Sequence, residues 1–416
     1  MFRKAAVTQT SDQAPSESRI PSVEVDEQEL WQDGKTDAER SLVNGELSIF
    51  LRRYVPWALF FVGLVVIPAL YYMGLITLGT VNMLGRYMAF AIVAVGLDLI
   101  WGYTGILSLC QAFFFALGGY AMGMYLAHHG GPEGIIDANN WKIPACLYVV
   151  YPYKVGEAPG DALVPWFWKP FYTLPVTVIL GLLIPGIAAL AIGYFGFKSR
   201  VRGVYFAILT QAITVAGWLV FCMNNMKLCG TNGLTRFDRI AGFKLTNPHV
   251  KVSLYIITLL ALVGVYALCK QVVKSRLGRI LIAIRDDETT LRFSGYKPYI
   301  YKLFAFGLAG MIAGLGGMLY APQMGIFTPT NMEASASILV VIWVAVGGRG
   351  ALSGAILGTL AVNLLYNYFT SEKDLLLFTW RAEYWQFILG GLFIGVVLLF
   401  PGGLIDLWHR LVGKAK

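Results

Sequence analysis

The chain has 416 residues, 57% of them hydrophobic and 14% charged, with a mean hydropathy of +0.62. A water-soluble domain carries about 25% charge, so a soluble globular fold is excluded and a polytopic membrane protein is expected. The net charge of +9 is uneven: residues 1–50 hold five Lys/Arg against ten Asp/Glu, and the remainder 28 against 14. That basic surplus lies beside apolar spans, as the positive-inside rule requires, so no nucleic-acid partner is expected.

Residues 1–50 are polar and lack an apolar period. They are expected to form an acidic, mostly disordered cytoplasmic tail. No apolar core follows the first basic residues, so no signal peptide is expected. Gly34-Lys35-Thr36 is a fragment of a phosphate loop, but Glu29 stands where that loop needs a glycine. No complete Walker A motif occurs, and ATP hydrolysis by that route is not expected.

Residues 51–416 carry the membrane domain. A span needs about 20 apolar residues. Candidates are 55–76, 80–101, 106–127, 171–194, 204–222, 252–269, 303–322, 335–346, 351–369 and 384–400. The fold class is therefore all-α, with about ten transmembrane helices; 335–346 is short enough for a half-helix or re-entrant element. Placing the N-terminus inside makes 128–170 and 223–250 external loops. A bond between Cys146 and Cys229, one in each loop, is compatible with that side. The five cysteines show no metal spacing. His128 and His129 are adjacent, which suits no helical metal site, so no metal is expected.

Residues 270–302 interrupt the apolar pattern on the inside. Eight are Lys or Arg, beside Asp286, Asp287 and Glu288. Leu277, Ile280, Leu281 and Ile284 recur at the spacing of one helix face, which predicts a short amphipathic helix at the membrane boundary.

Glycines at small-residue spacing, among them Gly119/Gly123, Gly310/Gly314 and Gly350/Gly354/Gly358, predict close helix packing. Two segments, 102–108 and 347–353, both read G-x-x-G-x-L-S, with a weaker echo at 230–235. Glycine pairs between closely spaced spans suggest interrupted helices around a path, and tight turns explain them almost as well.

No paired carboxylates or nucleophile constellation suggests an enzyme. Arg86 and Asp98 are the clearest ionisable groups within a span, and a charge there calls for a functional reading. They lie about three turns apart and cannot pair along one helix. Gln111, Tyr120, Gln211, Thr214, Gln323 and Trp343 are uncharged polar groups in or at the ends of spans. Together they favour a path for a small neutral polar solute over an ion.

The segment 270–302 is similar to the cytoplasmic loop of branched-chain amino-acid class ABC-importer permeases. The likeness continues through Tyr301–Phe306, Ala309–Tyr320 and Val346–Gly350, and earlier through Trp101–Leu109, Phe113–Tyr120 and Ser199–Tyr205. Within the class, Tyr320–Pro329, Ile342–Gly350, Gly230–Phe237 and the aromatic loop 141–170 most resemble the second permease subunit of urea importers. The sequence departs from the class at Cys110-Gln111, and from the importer E-A-A-x3-G pattern, since Gly295 falls one place late after Glu288-Thr289-Thr290.

The resemblance implies a bacterial cytoplasmic (inner) membrane subunit without an ATPase or cofactor of its own. Its implied partners are a second permease subunit, two ABC ATPase subunits that use the ATP, an external solute-binding protein and membrane lipid. It further implies that Arg285, Asp286, Asp287, Glu288, Arg292 and Gly295 dock the ATPase, and that the solute is urea, a short amide or a branched-chain amino acid. A stand-alone secondary carrier or channel is the alternative that the repeated glycine segments support.

Overall fold

The computed structural model describes residues 60, 62–130, 144, 146–147, 164–199, 201, 203–370, 387, 390–391, 394–395 and 403–404. The acidic tail, most of the aromatic loop 141–170 and most of the tenth candidate span, 384–400, lie outside the described residues.

Nine of the ten candidate spans coincide with helices. A π-helical turn, Val62–Val66, leads into α1 (Ile67–Tyr72). Then follow α2 (Leu78–Thr104), α3 (Gln111–His129), α4 (Leu174–Lys198) and α5 (Val204–Cys222). After them come α6 (Pro248–Lys274), α7 (Arg276–Phe293), α8 (Pro298–Met324), α9 (Ala334–Gly347) and α10 (Leu352–Thr370). Six of these, α2, α4, α5, α6, α8 and α10, are long and apolar enough to cross a membrane. The protein is a multi-pass, all-α membrane protein. Among the described residues the only strands are a two-residue hairpin, β1 (Arg239–Ile240) and β2 (Phe243–Lys244).

Local chemistry starts and stops the helices. Thr77 caps α2 by accepting the Thr80 N–H, and Asn247 caps α6 by accepting the His249 N–H. Pro248 and Pro298 stand in the first turns of α6 and α8, where a missing N–H costs nothing. Gly105 ends α2 at φ +76, a conformation other residues avoid.

Helices α2, α3 and α8 form the centre, flanked by α4 on one side and α6 on the other. Glycine lets α3 and α8 touch backbone to backbone: a Cβ at Gly118 would lie 2.0 Å from the Gly314 carbonyl oxygen. Such contact substitutes for the hydrophobic drive that lipid removes.

One predicted span is interrupted. Residues 105–110 are not helical, so α3 starts at Gln111 rather than at 106. Leu109 in this segment is satisfied from α5: its N–H donates to Thr210 Oγ1 and its carbonyl accepts from Thr214 Oγ1, both at 3.0 Å. Non-helical backbone inside a bundle survives only with such partners.

The Cys146–Cys229 bond is present, with the Cα atoms 5.5 Å apart. Beside it, Leu234 and Phe327 exchange two backbone hydrogen bonds of 2.8 Å. The Leu234–Phe327 pair ties the segment after α5 to the end of α8, and the disulfide ties it to Cys146.

Candidate coupling helix, interhelical clasp and solute cavity

The amphipathic pattern of 276–293 folds as α7. Leu281 and Ile284 are buried and pack with Ala305, Tyr103 and Leu291. Each such buried side chain contributes about 1.5–3 kcal/mol over an exposed one. The charged stretch is shorter than the sequence suggested, because α6 runs on to Lys274 and α8 starts at Pro298. Gly278 permits the sharp turn between α6 and α7: a Cβ there would lie 1.9 Å from the Val273 carbonyl oxygen.

Asp287 breaks α7. Its backbone is extended (φ −153°, ψ 100°), and its carboxylate accepts the Thr289 N–H at 2.8 Å and the Thr290 hydroxyl. It thus acts as the N-cap of a second short helix. The Thr290 and Thr289 hydrogen bonds hold its carboxyl below the usual aspartate range. Glu288, next along, accepts from Lys302 Nζ at 2.7 Å and from Arg292. Burial pushes the Glu288 carboxyl up, but Lys302 and then Arg292 outweigh it and leave it lowered. Gly295, at φ +84, closes α7 in the left-handed conformation, with its N–H on the Arg292 carbonyl. Of the six residues expected at this surface, Asp287, Glu288, Arg292 and Gly295 therefore shape the second half of α7. Asp286 is exposed and pairs with Arg285 at 3.2 Å.

Arg285 also reaches into the bundle. Its Nη1 donates to the Gly102 carbonyl at 2.9 Å. The next carbonyl back, Trp101 O, accepts from Arg349 Nε at 3.1 Å. The Arg349 guanidinium lies 5.3 Å from the Trp101 ring centre. These are among the carbonyls that a helix C-terminus leaves unpaired, and its negative dipole end favours both cations. Asp98, one turn back and fully buried, accepts the Gly350 N–H at 2.8 Å through Oδ1. The two G-x-x-G-x-L-S segments thus meet each other. A Cβ at Gly102 would lie 2.7 Å from Gly350 N and Cα.

At the other end of α2, Arg86 lines a cavity of about 440 Å³ with Asn331, Asn363, Tyr366, Asn367 and Trp343. Phe90 forms its aromatic floor, with ring centres 5.1 Å from Trp343 and 5.0 Å from Tyr320. Val93, Leu339, Val340 and Val362 give it an apolar side. Among the described residues lining it there is no carboxylate.

The six expected path residues do not gather here. Trp343 alone of the six lines this cavity. Thr214 holds the non-helical segment, and Gln323 joins helices, donating to Thr258 Oγ1 at 2.6 Å. Gln111 is fully buried and neither polar atom of its side chain has a partner among the described residues. The Tyr120 hydroxyl and Gln211 Oε1 are likewise unpaired, and Tyr120 packs between Phe221 and Phe327. Asn363, Tyr366 and Asn367 were missed. Their spacing, i, i+3 and i+4 on one apolar span, is the signal that marks a polar stripe.

A family model described as the permease component of branched-chain amino acid transport systems matches residues 79–397. The chain belongs to that family. The LivM permease protein of the high-affinity branched-chain amino acid transport system of Escherichia coli (strain K12) is 26% identical, over 84% of this chain and 75% of its own length. The LsrC permease protein of the autoinducer 2 import system of Salmonella paratyphi B is 30% identical, over 59% of this chain and 68% of its own length. The RbsC ribose import permease protein of Haemophilus influenzae is 24% identical, over 47% and 60%. No solved structure gives a significant match. This permease therefore shares its family with permease proteins of import systems for different solutes.

Proposed function

We propose that this permease and a second permease subunit form the path of an ATP-binding-cassette importer, and that the solute is urea. Two separate ATPase subunits dock at α7 and hydrolyse the ATP, and an external binding protein delivers the solute. On this reading the α7 end faces the cytoplasm, as does the N-terminus.

The observation that carries the solute reading is the cavity. Arg86 offers N–H donors to a carbonyl oxygen, and the side-chain carbonyl oxygens of Asn331, Asn363 and Asn367 offer acceptors to amide N–H groups. An ammonium group would find no carboxylate among the described lining residues. A neutral amide suits that set better than a zwitterion. The branched-chain amino-acid reading is the second, favoured by the LivM relatives and by the apolar side formed by Val93, Leu339, Val340 and Val362.

The test is uptake by the complex co-purified with its partner subunits and reconstituted in vesicles. ATP-driven entry of labelled urea, absent without the ATPases, is expected. Entry of labelled leucine with no urea entry selects the second reading. Gradient-driven entry by the purified chain alone would make it a carrier or channel. Asn363→Leu is expected to raise KM about tenfold, the cost of one desolvated hydrogen bond. Replacing both Asp287 and Glu288 by Lys is expected to uncouple transport by disrupting the second half of α7, which loses its cap and its pairing with Lys302 and Arg292, while the transmembrane bundle still assembles.

A further inference from the structure

The repeated glycine segments and the buried Asp98 lie outside both the solute cavity and α7. Asp98 is wholly excluded from solvent within α2. One oxygen, Oδ1, accepts the Gly350 N–H, and Oδ2 has no partner among the described residues. A buried carboxylate is costly in a span, and an apolar residue would fill the position at less cost. What Asp98 holds is the turn between α9 and α10, where Gly350 is at φ +81 and the turn's Arg349 rests on Trp101 O.

The geometry points to a mechanical role. Arg285 projects from α7 onto Gly102 O, one residue from the carbonyl that Arg349 takes. The C-terminus of α2 is therefore gripped by the coupling helix and by the α9–α10 turn together. The same three helices, α2, α9 and α10, line the cavity through Arg86, Phe90, Trp343 and Asn363. We propose that Asp98 is a positioning residue that locks the α9–α10 turn to α2, so that motion of α7, received through Arg285, shifts the cavity walls as one body. Gly102 is a glycine because this clasp brings its backbone against Gly350, and a Cβ there would also lie 2.5 Å from Asp98 Oδ1; Gly350 is a glycine because its φ is +81.

This inference rests on the importer reading, and one experiment separates the two. The full importer is reconstituted with wild-type or variant permease, and uptake of labelled urea and of labelled leucine is read against ATP hydrolysis in the same vesicles. Absence of ATP-driven uptake by the wild type defeats the importer reading. With an active wild type, Asp98→Ala is expected to lower solute moved per ATP at least about tenfold, the size of one lost hydrogen bond to a charged group. Asp98→Asn, which keeps an acceptor for the Gly350 N–H, is expected to restore most of that ratio. Arg285→Ala is expected to lower the ratio similarly, with the double variant no worse than either single, because groups acting as one unit are not additive. A wild-type ratio in Asp98→Ala or Arg285→Ala overturns the proposal. So does an Asp98→Asn ratio as low as that of Asp98→Ala, or a double variant whose losses multiply. If Asp98→Ala does not assemble, Asp98→Asn and Arg285→Ala decide alone.

Discussion

The two ends of the bundle use the same glycine motif for different work. At the α7 end, Gly102 and Gly350 meet over Asp98, and two arginines grip the carbonyls of α2. At the other end, the echo at 230–235 lies beside the Cys146–Cys229 bond and pairs its backbone with Phe327. One end is held by charge-assisted hydrogen bonds between separate elements. The other is held by a covalent bond and a backbone bridge. Hydrogen bonds can be exchanged during a transport cycle, whereas a covalent bond keeps its partners together. The difference suits a moving end and a fixed one.

The largest expected effect comes from adding one methyl group at each end. Gly102→Ala drives a Cβ into backbone that cannot yield, and loss of nearly all uptake is expected. Gly233→Ala also meets backbone, at 2.3 Å from Phe327 O, and forces an L-residue to φ +66. It is expected to cost about 1–3 kcal/mol of stability, seen as a lower melting temperature, while solute moved per ATP stays unchanged. Equal damage to that ratio from both variants would erase the distinction between the ends.

A smaller effect is expected at Glu288. Its carboxyl is held low by Lys302 and Arg292. Its stabilising contribution is therefore present above the ordinary glutamate pKa and is lost as pH falls through the lower folded-state value. Glu288→Gln is expected to cost about 1–3 kcal/mol at neutral pH and to flatten the acid side of the stability curve. Thermal unfolding in detergent across pH 3 to 7 measures both.

The smallest effect on transport is expected from Cys146→Ser with Cys229→Ser. Opening a loop of 83 residues costs about 4.5 kcal/mol in the chain-entropy account, read as a lower melting temperature. The uptake ratio of surviving protein should not change. A changed ratio would show that the disulfide end also moves.

Much of the fold was legible in the sequence. Apolar run length located nine helices, and Thr77, Asn247, Pro248 and Pro298 marked starts through purely local rules. The i, i+3, i+4 and i+7 pattern of Leu277 to Ile284 revealed the inward face of α7. The glycine pair at 102–108 hinted at the interruption before α3, but its extent was not legible, since residues 106–110 are apolar enough to read as span, and Thr210 and Thr214, about a hundred residues on, make their unwinding tolerable. Polar side chains in spans were visible, but their division into glue, such as Gln323, and cavity lining, such as Asn363, was not. That division depends on which way each helix face turns.

By itself the sequence determined the class of molecule, the helix positions, the charged helix and the glycine repeats, because hydrophobicity, capping and backbone freedom act within a few residues. Only the tertiary structure decided that Asp98 reaches Gly350, 252 residues away, and that Arg285 and Arg349 share the end of α2. Contacts of that kind follow from how close-packed helices seat their ends against one another, and no local pattern records it.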